Sequence, residues 1–576
     1  MNRAGARDLP LPDHPAPDHA ALELVPAPAP SARQANRNPG DQPSSSAAPL
    51  PARLLYALWT LAILALFALH FPHLLADFPN HSPWMDYSKY TDEGWYANAA
   101  IRFHQTGHWY LHGGFNPAVA LPVWPLLLAA VFHFTGVSLA GARAVGLIFF
   151  GLNLALTWLL VRSQAPRWAA LLAVTLLASS PFLFAFSRLA LLEPPLTCLL
   201  LLSWLLALRL PRTSARLQAA ILFAIGLLAC LMILTKTTAV FLLPSTLWLI
   251  ARAQRSTLAA ARAAAVAGLA GALPWSAYYF LFVRPHYFVD YWYFFSSNHW
   301  PRPHTLAGWA ASFWYALHGT LWLSPTFCCA AVALLLLALL PAQGGIRLHP
   351  APRRAHFARQ PGLWRNPVVQ ASLLAAAGYV FFNAFRDSPQ PRYYQTVIYP
   401  LVFVLTIGPA DLFRRRRPLF RIGGAAAVGA IALVSIAGML RIAGYLRHPE
   451  YTFLIAARGI ARVIDAHPAQ PRLLLSISGD DLRFITGVPA LCDDYGPWTL
   501  TYRIHMYRPG WYAAWNDLDP GTLADLQTQY ALEEVAEFPA FDDPDRNVLV
   551  LYRLDPLPAA QQTYSALVEN ALNARK

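Results

Sequence analysis

The sequence predicts a polytopic α-helical membrane protein with about eleven transmembrane helices and a small C-terminal α/β domain. Three observations support this fold class. Of the 576 residues, 56% are apolar and only 13% are charged, which is too little charge to cover a soluble protein of this length. Apolar stretches of roughly 18 residues or more recur over the first three quarters of the chain. Residues after about 450 are richer in acids and lack such stretches.

A dozen continuous apolar segments are candidates for membrane spans: 54–71, 118–136, 142–161, 168–186, 192–208, 217–234, 238–251, 263–283, 317–340, 367–385, 394–412 and 419–440. Arginines are concentrated in every second link between them, at 162–167, 209–216, 252–262, 347–365 and 414–417. Because arginine-rich short loops stay on the cytoplasmic side, these links are predicted to be cytoplasmic.

The arginine-containing N-terminal tail is predicted to be cytoplasmic as well. Both predictions hold only if an even number of spans lies between the tail and residue 162. Segment 118–136, which contains Pro122 and Pro125, is therefore predicted to lie at the outer interface or to re-enter the membrane. About eleven spans remain, and the outer face receives residues 72–141, 284–316, the turns near 187–192, 236 and 386–393, and the C-terminal region.

The predicted organisation has three parts. Residues 1–50, rich in proline and alanine, form a disordered cytoplasmic tail. Residues 51–445 form the membrane domain, with a first outer loop at 72–141 and an aromatic outer loop at 284–316. Residues 446–576 form a periplasmic α/β domain. We expect a bacterial inner-membrane protein that crosses the membrane many times, with a cytoplasmic N-terminus.

The net charge of +14 does not indicate nucleic-acid binding. Only three lysines occur, and the arginines lie in short links between apolar segments rather than on a soluble basic face. The five cysteines show neither a disulfide framework nor metal-ligand spacing. The sequence predicts no nucleic-acid partner.

The first motif of interest for catalysis or binding is the acidic pair Asp92–Glu93, which follows the first span on the predicted outer face. Acidic residues are favourable at a helix N-terminus, so capping of a short helix that begins at Thr91 or Asp92 is one interpretation. The other is that the carboxylates supply a general base or bind a divalent cation. The sequence leaves both open.

Three further outer turns carry charge. Arg188 and Glu193 lie five residues apart between two apolar segments, where they either pair with each other or serve the site. Lys236 lies in a Thr-Lys-Thr-Thr turn of a chain that otherwise uses arginine, so snorkelling and a phosphate contact are the two interpretations. Arg392 and Tyr393 precede a late span. Together these turns supply cations that can hold a lipid phosphate.

This set of motifs resembles the GT-C glycosyltransferases over roughly residues 54–440. The similarity consists of Asp-Glu-x-x-Tyr after the first span, Arg-x-x-x-x-Glu-Pro at a turn, a Thr-Lys turn and Arg-Tyr before a late span. Within that superfamily it is most similar to the protein O-mannosyltransferases and to the lipid A aminoarabinose transferase family. The interfacial segment 118–136 also fits, since these enzymes have membrane-parallel helices in their first outer loop.

The resemblance implies inverting transfer of a sugar from a polyprenyl-phosphate donor, of the undecaprenyl type, to a glycolipid such as lipid A, a surface glycan or a protein. It assigns Asp92 and Glu93 to catalysis, with Glu193 as a supporting residue. Asp92 and Glu193 are also candidate ligands for a divalent metal (Mg, Mn or Zn). Membrane lipid is the other expected partner.

The resemblance also assigns residues that hold the donor. Lys236, Arg188 and Arg392 would bind its phosphate and stabilise the charge that develops as it leaves. Aromatic residues near these turns are candidates for a substrate platform, with interfacial anchoring as the alternative for those in the aromatic loop. The platform candidates are Tyr96, Tyr393, Trp292 and Trp300.

In the C-terminal region, residues 472–477 and 547–552 are predicted strands and residues 522–530 a predicted helix. Its Trp498, Trp515 and Asp493 suit glycan binding and core packing equally. A transporter or flippase, or a polymerase or ligase of lipid-linked glycans, is the alternative function. A transporter is expected to place its charges at the bilayer midplane, whereas these lie at the ends of spans.

The topology makes a direct prediction. An alkaline phosphatase fusion at residue 138 is expected to be active, because segment 118–136 does not cross the membrane in this arrangement, whereas a fusion at residue 212 is expected to be inactive. A cytoplasmic location for residue 138 would contradict the arrangement.

Overall fold

The computed structural model describes residues 50–80, 82–112, 114–296, 305–340, 362–384, 390–493 and 495–558. The chain divides into two compact units, residues 1–55 and 56–576, and every contact described below lies within the second. Apart from Leu50, where the first helix begins, the predicted disordered tail lies outside the described residues.

The first half of the described chain is almost entirely helical. Its α-helices are α1 Leu50–Ala68, α2 Asp92–Thr106, α3 Val123–Thr135, α4 Leu139–Gln164, α5 Arg167–Ala178, α6 Pro181–Ser187, α7 Glu193–Ala207, α8 Ala215–Thr235, α9 Leu243–Ala253 and α10 Thr257–Tyr278. Short 3₁₀ turns connect several of them, at Tyr87–Lys89, Pro117–Val119, Leu210–Arg212 and Thr237–Phe241.

The second half continues from α10 through a π-helical turn, Tyr279–Val283. Its α-helices are α11 Arg284–His286, α12 Phe288–Ser296, α13 Leu306–His318, α14 Pro325–Leu339, α15 Pro367–Ala384, α16 Gln395–Leu412, α17 Pro418–Arg447, α18 Thr452–Asp465, α19 Gly479–Thr486, α20 Leu500–Tyr507 and α21 Pro520–Gln527. The 3₁₀ turns lie at Gly319–Trp322, Leu363–Arg365 and Pro391–Tyr394.

Among the described residues, eight helices are long and apolar enough to cross a membrane: Pro51–Ala68, Leu139–Gln164, Glu193–Arg212, Ala215–Thr235, Thr257–His286, Pro367–Ala384, Pro391–Leu412 and Pro418–Asp465. Two bent pairs raise the number to as many as ten: α5 with α6, bent by 61°, and Leu306–Trp322 with α14, bent by 109°. All of them coincide with predicted segments, and the predicted polytopic helical fold is confirmed.

Two predicted segments are formed by shorter apolar helices. Segment 238–251 lies in the helical stretch Thr237–Ala253, which joins the Thr237–Phe241 turn to α9. At 17 residues it is at the lower limit of a span, and with the eight long helices and the two bent pairs it makes up the eleven spans expected. Segment 118–136 contains α3, whose 13 residues are too few to cross a bilayer as a straight helix. Its assignment as a non-spanning segment therefore agrees with the length of α3.

Helix α16 lies at the centre of the membrane domain. Of its 18 residues, all but Leu401 are buried. It packs against α5, α7, α14, α15 and α17. Because a helix that is apolar on all sides must be surrounded by protein or lipid, its sequence already suits this position. The surrounding helices hold the turn at its N-terminal end in place.

Helix α2 lies between the membrane helices and the C-terminal region. It packs against α3 on one side and α19 on the other. At Gly94 the contact with α19 is so close that a Cβ atom would lie 2.2 Å from the carbonyl carbon of Asp480. The Gly94 amide, one of the unpaired amides of the first helical turn, donates to Asp481 Oδ1 over 2.7 Å. The C-terminal region therefore helps to fix the start of α2.

The C-terminal region contains a five-stranded mixed sheet, with strands β1 Leu474–Leu475, β2 Ala490–Leu491, β3 Trp511–Trp515, β4 Tyr530–Asp543 and β5 Arg546–Pro556. The strand order is β2-β1-β3-β5-β4. Strand β1 is parallel to β2 and β3, whereas β5 is antiparallel to β3 and β4.

The small α/β domain predicted from the sequence is confirmed. The predicted strands 472–477 and 547–552 fall on β1 and β5, and the predicted helix 522–530 falls on α21. That helix begins after Asp519, whose carboxylate accepts the amides of Gly521 and Thr522. It ends earlier than expected, because Tyr530 is the first residue of β4.

Candidate functional site

A cavity of about 450 Å³ lies where α2, the turn after α8, the turn before α16 and the C-terminal region meet. One wall carries charged side chains and the others are largely aromatic. The lining residues are Tyr87, Thr91, Asp92, Trp95, Tyr96, Leu121, Lys236, Thr237, Thr238, Phe294, Phe295, Phe382, Arg392, Tyr393, Ile477, Cys492, Tyr495 and Arg546.

Asp92 is the first residue of α2 and is only 8% exposed. Its Oδ2 atom lies 2.9 Å from Arg392 Nε, and Thr91 Oγ1 donates to Oδ1 over 3.3 Å. Burial raises the pKa of the Asp92 carboxyl above its ordinary value, and the charge of Arg392 opposes that rise. Asp92 is therefore an acid that takes up a proton more readily than an exposed aspartate.

Arg392 lies in the turn that leads into α16 and joins two carboxylates. Asp86 accepts its backbone amide over 2.9 Å and also pairs with its guanidinium group. The guanidinium extends from Asp86 to Asp92, so both of its charged neighbours come from the segment around the start of α2. All three side chains are buried. This pairing connects the loop before α2, α2 itself and α16.

Lys236 follows α8 and pairs with Glu193, the first residue of α7. Glu193 is fully buried behind the cavity wall, whereas Lys236 lines the cavity. The ammonium nitrogen of Lys236 lies 4.5 Å from the centre of the Tyr393 ring, a cation–π geometry. Lys236 is thus held between a carboxylate and an aromatic face at the edge of the cavity.

The aromatic walls come from several elements. Trp95 lies 6.4 Å from Phe294 in a stacked arrangement and 5.7 Å from Tyr495 edge to face, measured between ring centroids. Tyr96 completes the wall beside Asp92, and burial together with the Asp92 charge raises the pKa of its hydroxyl. Such a lining suits a ligand with both an apolar part and a polar, hydroxylated part.

The structure brings together five of the residues that the sequence singled out: Asp92, Lys236, Arg392, Tyr96 and Tyr393 all line the cavity. Glu193 lies directly behind them through its contact with Lys236.

Glu93, in contrast, does not line the cavity. Arg143 donates to its two carboxylate oxygens over 2.9 and 2.6 Å, and the amide of Ala190 donates to it over 2.7 Å. With its partners buried and its oxygens occupied, Glu93 ties α2 to α4 and to the turn before α7. The structure therefore places Glu93, expected at the catalytic position, in a buried ion pair with Arg143 outside the cavity lining.

Arg188 lies elsewhere as well. Its guanidinium donates to the carbonyl groups of Pro72 and His73 and lies over the Phe184 ring, beside a separate cavity of about 390 Å³. Burial lowers the pKa of Arg188 to about 10. The structure therefore places Arg188 away from the cavity that Lys236 and Arg392 line. The extended segment between α6 and α7 separates it from Glu193, with which it does not pair.

Of the two tryptophans expected in the substrate platform, Trp292 lies within the described residues. Trp292 is 61% exposed on α12, where it stacks on Phe288 with ring centroids 6.2 Å apart. It does not line the cavity. Trp300 lies outside the described residues.

The carboxylates do not fit a bound divalent metal. Within the described ranges no three histidine, cysteine, aspartate or glutamate side chains lie close enough together to hold one. Asp92 and Glu193, the expected ligands, have Arg392 and Lys236 as partners.

Sequence reasoning missed several important residues. Arg143 lies within an apolar segment, where a charged residue needs a partner. Its position in the sequence was therefore a signal of a buried ion pair. Asp86 carries no comparable signal, because nothing local shows that it pairs with Arg392. Tyr495 and Arg546 belong to the C-terminal region and reach the cavity only through the tertiary fold.

Comparison with known proteins gives two findings. Residues 117–279 match the family model described as dolichyl-phosphate-mannose-protein mannosyltransferase. No curated protein matches the chain significantly. The family match includes the turns that carry Glu193 and Lys236, but neither α2 nor the turn before α16.

Among solved structures, ArnT from Cupriavidus metallidurans bound to undecaprenyl phosphate is similar with a TM-score of 0.57 and 14% identity, over 87% of this chain and 98% of that chain. Its apo state gives a TM-score of 0.56 and 16% identity over the same shares. The oligosaccharyltransferase of Archaeoglobus fulgidus gives a TM-score of 0.46 and 13% identity, over 81% of this chain and 69% of that chain. The likeness to ArnT shows a shared fold, which is the fold that the resemblance to the GT-C glycosyltransferases implied.

The different surroundings of Asp92 and Glu93 lead to a test by substitution. We expect Glu93→Gln to lower the stability by about 3–5 kcal/mol, because it leaves Arg143 buried without a counter-charge. Thermal unfolding of the purified protein in detergent micelles measures the effect. The control is Asp465→Asn, which removes an exposed ion pair with Arg472 and is expected to change the stability by less than about 1 kcal/mol. Wild-type stability in Glu93→Gln would contradict the structural role.

Proposed function

We propose that this protein, which has the GT-C fold, is a membrane glycosyltransferase that moves a sugar from a polyprenyl-phosphate donor to an acceptor at the outer face of the membrane. A glycosyltransferase was predicted from the sequence, and both comparisons agree with that class. The observation that carries the proposal is the cavity in which one buried carboxylate, Asp92, and two cations, Lys236 and Arg392, lie together beside an aromatic wall.

The donor is proposed to be an undecaprenyl phosphate carrying one sugar. The undecaprenyl phosphate bound to ArnT supports this choice of carrier. The phosphate group of the donor would lie beside Lys236 and Arg392, which exchange part of their contact with Glu193 and Asp86 for contact with the phosphate oxygens. Fixed cations at this point stabilise the negative charge that grows on the leaving phosphate.

The transfer is proposed to invert the anomeric carbon. The acceptor hydroxyl oxygen forms a bond to that carbon from the side opposite the phosphate, and the bond between the carbon and the phosphate oxygen breaks. The polyprenyl phosphate leaves with the electron pair, and Asp92 takes the hydroxyl proton. The raised pKa of Asp92 suits this role, because a base accepts a proton more readily when its pKa lies nearer the working pH.

The acceptor belongs to one of three classes: a glycolipid such as lipid A, a surface glycan or a protein. Each offers a hydroxyl group at the outer face of the bacterial inner membrane. This placement requires a cytoplasmic N-terminus and a periplasmic C-terminal region, as the distribution of arginines predicts.

A transporter or flippase of lipid-linked sugars is the second candidate. Its binding charges would be expected on broken helices near the bilayer midplane. In this protein the charges flank the ends of apolar helices, at the start of α7, the end of α8 and the turn before α16. That arrangement favours chemistry at the membrane surface.

Asp92→Asn tests the base. The amide cannot accept the hydroxyl proton, so we expect transfer from an undecaprenyl-phosphate sugar to fall by about 10²–10⁴-fold while donor binding persists. In the wild type, kcat/KM should fall as the pH decreases through the pKa of Asp92, because the protonated carboxyl cannot accept the hydroxyl proton. This fall is expected at a pH above 3.8, the ordinary pKa of an aspartate. Asp465→Asn, remote from the cavity, should retain both the activity and this acid limb. Full transfer by correctly folded Asp92→Asn would refute the mechanism.

Lys236→Ala tests the phosphate contact. Loss of the ammonium group is expected to weaken the binding of the donor by about tenfold, measured by titration of the purified protein. Because the single variant leaves Glu193 buried without its partner, the double variant Lys236→Ala/Glu193→Gln should show the same weak binding with better stability. Unchanged donor affinity in both variants would remove Lys236 from the site.

A further inference from the structure

Arg546 reaches the cavity from the C-terminal region. It is the first residue of β5, at the tip of the hairpin that β5 forms with β4. Its guanidinium carbon lies 5.3 Å from the Tyr87 ring centre and 4.9 Å from that of Tyr90, so two aromatic faces hold it at the cavity wall. This contact lies beside Asp92 and its neighbours, in the region where the chain enters α2.

The other charges of the site do not balance a phosphate. Arg392 is paired with two carboxylates, Asp86 and Asp92, and Lys236 is paired with Glu193. With all five groups ionised, two cations face three anions, an excess of one negative charge. A sugar phosphodiester brings another negative charge, and the phosphate gains more as the sugar leaves. A further cation would offset this repulsion.

Arg546 is a further cation in the cavity lining. Within the described part of the chain it forms no ion pair, in contrast to Lys236 and Arg392. The hairpin tip also carries Asp542, Asp543 and Asp545, but none of them lines the cavity, whereas Arg546 does. A guanidinium group presents a planar set of donors that matches two oxygens of a phosphate at once.

We propose that Arg546 is a specificity residue for the phosphate of the lipid-linked donor, contributed by the C-terminal region to a site otherwise built by the membrane domain. This inference rests on the proposed function, since it names a residue of the same donor site. The inference gives the C-terminal region a direct part in holding the donor. If the hairpin were only structural, substitution of Arg546 would leave the affinity for phosphate unchanged.

The test compares two lipids that differ only in the head group: undecaprenyl phosphate and undecaprenol. Their affinities for the full-length protein in micelles are measured for the wild type, Arg546→Gln, Arg546→Lys and Arg553→Gln. Arg553 lies on the same strand, pairs with Glu533 and Asp555, and does not line the cavity, so it is the matched control.

We expect Arg546→Gln to bind undecaprenyl phosphate about tenfold more weakly while its affinity for undecaprenol stays at the wild-type value. Arg546→Lys should recover only part of the difference, because lysine keeps the charge but not the planar pair of donors. Arg553→Gln should behave as the wild type. Undecaprenol binding also verifies that each variant is folded.

Two results would overturn the role of Arg546 alone: an unchanged affinity of Arg546→Gln for undecaprenyl phosphate, or an equal loss for both lipids. A wild-type protein that does not discriminate between the two lipids would instead overturn the proposed function, and this inference with it. The phosphate preference of the wild type therefore separates the two failures.

Discussion

The ion pairs of Arg392 with Asp86 and Asp92 are the interaction on which the arrangement of the site depends. They join three parts of the chain: the loop that follows α1, the first turn of α2, and the turn before α16. Because all three side chains are buried, removal of one partner leaves a charge without compensation, a cost of about 3–5 kcal/mol. The α2 carboxylate is thereby held beside the most deeply buried helix of the membrane domain.

The two adjacent acids show how α2 divides structural and chemical roles. Successive residues of an α-helix point about 100° apart, so two adjacent side chains can face different surroundings. Asp92 lies toward the cavity and Arg392, whereas Glu93 lies toward Arg143 on α4. The interpretation of Asp92 as a simple helix cap also fails, since its carboxylate pairs with Arg392 and the Gly94 amide is accepted by Asp481. The C-terminal region therefore supports the first turn of α2 and, through Arg546, also borders the cavity.

The sequence predicted much of the site because its charges lie at the ends of apolar helices, where a charge is costly unless it has a role. Asp92, Lys236 and Arg392 were recognisable on this ground. The same rule misplaced Arg188, which has the same kind of position but is directed toward the carbonyl groups of Pro72 and His73. Which way a side chain at such a turn points depends on the break between α6 and α7, a feature that hydropathy does not register.

By itself the sequence determined the helical membrane fold, the positions of its apolar segments and the small C-terminal α/β domain. These properties follow from local hydrophobicity and residue periodicity, which can be read without knowing what lies nearby in space. Only the tertiary structure decided which charges pair: Asp86 with Arg392, Glu93 with Arg143 and Lys236 with Glu193. Those pairs join residues far apart in the chain, and each is stable because burial removes the alternative of solvation by water. The chemistry of the cavity is therefore a property of the fold, while the charged residues that it uses are visible in the sequence.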